Sequence, residues 1–179
     1  MKKTIILAAL FMLTLTCWAQ DKQTRNVGDF TSISFGISGD LYLTQGNTTK
    51  VVLEGDEEDL EKIETEVSGG KLRIRTRNNN WNWNWSNSKI KVYITVKNFE
   101  GLNVSGSGDA ISEGVIRAGD VDLSVSGSGS IEFKLEATNV DMGISGSGSI
   151  YLIGKGVSSD LSISGSGKLD AEDFVVEQR

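Results

Sequence analysis

Three tryptophans, Trp81, Trp83 and Trp85, alternate with asparagine between two basic segments. Arg73, Arg75 and Arg77 precede them, and Lys89, Lys91 and Tyr93 follow. All nine have odd numbers. In an extended chain alternate residues share one face. Unbroken alternation would therefore gather the indoles and cations on one surface. Rings beside cations can stack on sugars and hold anionic polymers through charge-assisted hydrogen bonds. A structural reading competes. Residues 54–66 carry eight acids against Lys62, and could lie over the basic strands and neutralise them. Each such surface pair contributes only ~0–1 kcal/mol.

Other chemistry is scarce. The chain has no histidine, which removes imidazole acid–base catalysis and the common zinc and copper sites. Its single cysteine is Cys17. Glu132, Asp141 and Asp170 are scattered acids without recognisable catalytic spacing, and no residue is assigned a catalytic role. A calcium roll repeats aspartate at a fixed corner. The corner residues here are Asp109, Ser130, Ser149 and Lys168, so no metal is expected, and no cofactor.

The elements that must carry these groups are strands. Leu72 and Ile74 alternate with Lys71, Arg73 and Arg75; Ile90, Val92, Ile94 and Val96 alternate with Lys91, Tyr93 and Thr95. Period-two alternation predicts one buried and one solvated face. Asp56 to Glu66 reads as a short helix capped by Asp56, or an acidic loop. Near the C-terminal end one block recurs. SGSG begins at Ser105, Ser126, Ser145 and Ser164, spaced 21, 19 and 19 residues apart. Before the blocks run two apolar columns: Leu102, Leu123, Met142 and Leu161, then Val104, Val125, Ile144 and Ile163. Ala110, Ile131, Ile150 and Leu169 follow the corner. Phe133 and Leu152 share the next column with the small Ser112 and Ala171. A flexible linker would not recur in phase with apolar alternation. Stacked units with glycine corners would: Gly106, Gly108, Gly127, Gly129, Gly146, Gly148, Gly165 and Gly167 let neighbouring corners approach closely. Ile37-Ser38-Gly39-Asp40-Leu41 resembles a shortened version of the same unit.

Residues 1–19 read as a signal peptide, with Lys2 and Lys3 before an apolar run and Cys17-Trp18-Ala19 at the cleavage site. Lipidation at Cys17 is the alternative. Residues 20–26 form a polar leader, and 27–179 a single domain. Without Lys2 and Lys3, 16 basic residues face 24 acidic ones, a net charge of −8 that argues against nucleic acid.

These features resemble the putative auto-transporter adhesin head domains of GIN type. The matching parts are the signal peptide, Phe35-Gly36-Ile37-Ser38-Gly39-Asp40, the segment Ile63 to Ile74, and the SGSG run. The resemblance implies an exported, adhesive domain with no catalytic residues to transfer. The expected fold is all-β: a right-handed parallel β-helix-like solenoid of about 19-residue coils with SGSG corners, preceded by an N-terminal strand-rich layer and lacking further C-terminal coils. The expected function is non-enzymatic attachment at the cell envelope or surface. The alternatives are a periplasmic protein-binding scaffold or envelope-stress protein, and a polysaccharide-active enzyme. The expected partners are a glycan or anionic surface polymer, or a protein or second copy meeting the C-terminal edge around Val175 and Val176. The expected location is periplasm, outer-membrane surface or extracellular space.

Overall fold

Alternating side chains and missing prolines let nearly every segment run extended. The computed structural model describes residues 21–77 and 90–176. Its strands are β1 (Asp21–Arg25), β2 (Ser32–Gly36), β3 (Asp40–Gln45), β4 (Lys50–Gly55), β5 (Ile63–Ser68), β6 (Lys71–Thr76) and β7 (Lys91–Val96). The repeat region supplies β8 (Gly101–Gly106), β9 (Asp109–Arg117), β10 (Asp120–Gly127), β11 (Ser130–Glu136), β12 (Asn139–Gly146), β13 (Ser149–Gly156), β14 (Ser158–Gly165) and β15 (Lys168–Val176). One helical turn, α1 (Glu57–Leu60), breaks the pattern; Asp56 precedes it without a side-chain cap bond.

Two open sheets result. Eight strands run in the order β1-β4-β7-β3-β9-β11-β13-β15, and seven in the order β14-β12-β10-β8-β2-β6-β5. Their inner faces share one core that includes Phe35, Leu41, Leu72, Ile94, Leu123, Phe133 and Ile150. Phe99 and Phe133 pack at 5.7 Å inside it.

The repeat is in register. Val104, Val125, Ile144 and Ile163 are direct neighbours across parallel strands, and so are Gly106, Gly127, Gly146 and Gly165. Ala110, Ile131, Ile150 and Leu169 align in the other sheet. The SGSG corners therefore superpose. At Gly127 φ is +131°, and a methyl group there would run into the carbonyl oxygen of Gly106. Glycine thus permits both the bend and the stacking distance.

The longer first spacing has a local cause. Glu132 pairs with Ile111, an offset of 21, whereas Lys134 pairs with Val115, an offset of 19. β9 therefore bulges by two residues around Ser112, Glu113 and Gly114. The Lys134 N–H, deprived of a ladder partner, donates to Ser112 Oγ at 2.8 Å. That bond explains a buried serine in an apolar column. β15 bulges by one residue opposite Leu152.

Two expectations are corrected. The N-terminal strands are not a separate layer before the repeat. β2 and β3 pair in parallel with β8 and β9, and β6 and β7 pair in parallel with β2 and β3. They extend the same two sheets, with Gly39 at a corner where Asp40 N–H bonds Ile90 O at 2.9 Å. The polar leader is also folded in part: residues 21–25 form β1, antiparallel to β4. The open edge of β4 needs partners for its backbone groups, and this need outweighs the polarity of the segment. Arg25 Nη2 adds a 2.6 Å bond to Leu60 O. Residues 1–20, including the expected signal peptide and Cys17, lie outside the described residues.

Candidate functional site

Outward-facing positions of the eight-stranded sheet fall into rows because its strands are in register. One row crosses all eight strands: Thr24, Val52, Tyr93, Tyr42, Ile111, Glu132, Tyr151 and Asp170. Four neighbours in it, Val52, Tyr93, Tyr42 and Ile111, are apolar or aromatic and only half-buried. Tyr42 and Tyr93 stack with ring centroids 5.2 Å apart and planes 18° from parallel. Each ring covers one face of the other, so a ligand meets the outer ring faces and the hydroxyl edges.

Charged groups frame this pair. Lys22 Nζ lies 5.6 Å from the centroid of Tyr93, within cation–π range. The same ammonium forms an ion pair with Glu54, Nζ lying 3.0 Å from Oε2. Contact with Lys22 holds the Glu54 carboxyl below its ordinary value, against the opposing effect of burial, and Glu54 raises Lys22 in return. Burial, then Glu54, pushes the Tyr93 phenol up; burial, then Asp40, does the same for Tyr42. Both phenols keep their protons at neutral pH and can donate hydrogen bonds.

The structure divides the sequence-predicted basic face. β6 lies in the seven-stranded sheet and β7 in the eight-stranded one. Arg73, Arg75 and Arg77 are exposed on one side of the molecule, while Lys91 and Tyr93 look out on the other. The expectation of one shared surface is therefore corrected: alternation fixes parity within a strand but not which sheet the strand joins. Trp81, Trp83, Trp85 and Lys89 lie outside the described residues.

Neutralisation by the acidic segment is visible on both sides. β5 runs antiparallel to β6, and Arg75 Nε bonds Glu64 Oε2 at 3.1 Å, with Glu66 at 3.7 Å from Nη2. Glu54 stands opposite Lys91 on the other sheet. Tyr42 and Lys22 were not singled out by the sequence reading, and Glu54 entered it only as one of the eight acids of residues 54–66. The available signal was the odd–even pattern around Tyr42, but only register pairs it with Tyr93.

Two grooves lie among the described residues. One, of about 290 Å³, borders Tyr151, Ile153, Glu132, Asp170 and Asp173. There Lys168 Nζ lies 5.4 Å from the Tyr151 centroid and 2.9 Å from Asp170 Oδ2. The other, of about 720 Å³, lies by the β9–β10 turn and is lined in part by Glu100, Asp120, Asp122 and Asp141. Among the described residues no group of three His, Cys, Asp or Glu is placed to hold a metal ion. Asp109 instead accepts a 2.6 Å bond from Ser130 Oγ. Among the described residues no helix is long and apolar enough to cross a membrane.

Solved structures share this fold, among them two from one organism. A "putative lipid binding protein" from Parabacteroides distasonis ATCC 8503 is 23% identical, with 88% of this chain and 76% of that chain covered and a TM-score of 0.67. A "putative adhesin" from the same organism is 21% identical, with 89% and 76% covered and a TM-score of 0.67. No curated protein matches the chain. A family model described as "Putative auto-transporter adhesin, head GIN domain" matches residues 29–179, and the chain belongs to that family.

Proposed function

We propose that this chain is a non-enzymatic, exported attachment domain whose outer eight-stranded face binds a hydroxyl-rich or anionic surface polymer, a glycan above all. Its architecture is then a right-handed β-helix-like solenoid, the hand that parallel crossovers almost always take. The observation that carries this reading is the in-register row Val52, Tyr93, Tyr42 and Ile111 with its stacked phenols. A flat row across strands suits an extended polymer. Apolar ring surface supplies stacking, the phenol hydroxyls supply donors, and Lys22 and Lys91 supply charge. Adhesive family membership points the same way.

The test is a glycan and matrix-polymer array probed with the wild type, with Tyr42→Ala/Tyr93→Ala, and with Trp81→Ala/Trp83→Ala/Trp85→Ala. The tyrosine variant is expected to lose about 10-fold or more in affinity at unchanged far-UV dichroism. Undiminished binding by that variant overturns the assignment. So does binding abolished only by the tryptophan variant, which would move the site to residues 78–89.

A further inference from the structure

The groove beside Tyr151 lies on the same outer face as the stacked tyrosines, at a distance from them. Its floor is β13, where Tyr151 and Ile153 point outward and are 36% and 46% exposed. Its walls are acidic. Glu132 stands on the β11 side, beside Tyr151, and Asp170 and Asp173 stand on the β15 side, beside Tyr151 and Ile153. The bulge in β15 places the last of these. Unbroken pairing would set Glu172 against Ile153; the extra residue sets Asp173 there instead, and turns Phe174 into the core. From β11 to β15 the groove is two strand spacings wide, ~10 Å. It lies on a sheet face, so it does not depend on what pairs with the outer edge of β15.

Lys168 shows which charge this surface accepts. Its ammonium rests 5.4 Å from the centroid of Tyr151 and 2.9 Å from Asp170 Oδ2. Glu132 and Asp173 stay uncompensated: among the described residues neither has an ion-pair partner. Lys134 neighbours Ile153 across the strands but does not line the groove.

We propose that this groove is a second subsite of the ligand face and takes a sugar ring bearing a free amine, so that the polymer bound is a glycan with unacetylated amino sugars. The inference rests on the glycan reading above and narrows it: the polymer is hydroxyl-rich and positively charged rather than anionic. Continuity is one argument. Tyr151 shares a row with Tyr42, three strand spacings or ~14 Å away, with Ile111 and Glu132 between them. A chain lying across the strands meets both tyrosines. Chemistry is another. A ring can stack on Tyr151 and Ile153 while its ammonium lies between Glu132 and Asp173. Width selects a ring over the side chain of a basic peptide, because a single alkyl stem would leave most of about 290 Å³ wet. The net charge of −6 also draws a polycation and repels a polyanion.

Titration calorimetry of the full chain at about pH 6, where amines are protonated and carboxylates ionised, tests the proposal. The probes are a glucosamine oligomer long enough to reach from Tyr42 to Tyr151 and the same oligomer fully N-acetylated. The wild type is expected to bind the free-amine form about 10-fold more tightly, a preference that shrinks near ~1 M salt. Glu132→Gln/Asp173→Asn removes charge with little change of shape. It should abolish the preference and leave affinity for the acetylated oligomer unchanged. Tyr151→Ala should weaken both oligomers about 10-fold at unchanged far-UV dichroism. Equal affinity of the wild type for the two oligomers overturns the proposal. A preference that survives loss of both carboxyl charges overturns it as well. So does oligolysine of matched charge binding as tightly as the amino glycan, which would make the groove a peptide site. The two readings fail separately. Binding of both oligomers alike, lost in Tyr42→Ala/Tyr93→Ala, removes only the amine subsite. An amine preference and affinity undiminished in that variant remove only the stacked pair.

Discussion

Ile144 and Ile163 share a residue type, a column and a repeat, one strand apart. Ile144 is covered on both sides by neighbouring strands and is almost fully buried; Ile163 has β12 on one side only and is 43% exposed. The same holds for Met142 and Leu161. An inner tier and the terminal tier thus carry nearly the same text in different environments. In a stack, a residue draws its stability from the tier above as much as from its own sequence. Identical substitutions should therefore have unequal effects along one column.

The corners offer one such contrast. Gly106 and Gly127 both take positive φ, +104° and +131°. Open space surrounds a methyl group at Gly106, whereas at Gly127 it would meet the Gly106 backbone. Gly106→Ala should cost about 1–2 kcal/mol from backbone strain alone. Gly127→Ala adds overpacking against backbone and should cost about 2–5 kcal/mol in all. Urea unfolding of the two variants decides this, and equal losses would break the stacking account of the corners.

Next comes the column itself. Ile144→Ala should cost about 2–5 kcal/mol, because it opens a cavity in a packed core. Ile163→Ala should cost less than about 1 kcal/mol. Similar losses would mean that the terminal tier is covered.

The smallest effect concerns charge. Asp122, Asp141 and Asp160 align in register on the outer face of the seven-stranded sheet. Like charges directly opposite each other are unfavourable. In the neighbouring row Asn139 Nδ2 instead donates to Asp120 Oδ1 at 2.6 Å. Asp141→Asn removes repulsion from two sides and should stabilise by ~0.2–1 kcal/mol at low salt. Asp160→Asn removes it from one side and should gain about half as much, both gains shrinking near ~1 M salt. A gain at Asp160 equal to that at Asp141 would contradict the one-sided environment of the last tier.

Much of this architecture was readable in advance. The SGSG phase located the corners and named the columns, and alternation separated Leu72 and Ile74 from the arginines beside them. Family membership followed from the same text. Other features were not readable. Ser112 looked like a small residue tolerated in an apolar column; it takes the backbone bond left by a bulge. The leader was read only as polar, and residues 21–25 complete an edge while staying mostly exposed. The basic residues looked like one face and belong to two.

What the amino-acid sequence determined by itself was local and periodic: strand parity, turn positions, and the repeat that brings like residues together. These follow from the two-residue period of a strand and from glycine's freedom at a tight corner. Tertiary structure alone decided which strands became neighbours. β6 joined β2 and β5, β7 joined β3 and β4, and Tyr93 came to stack on a tyrosine 51 positions earlier. Pairing between distant strands depends on backbone groups that every residue carries alike, so no single stretch of sequence records which partner will satisfy them.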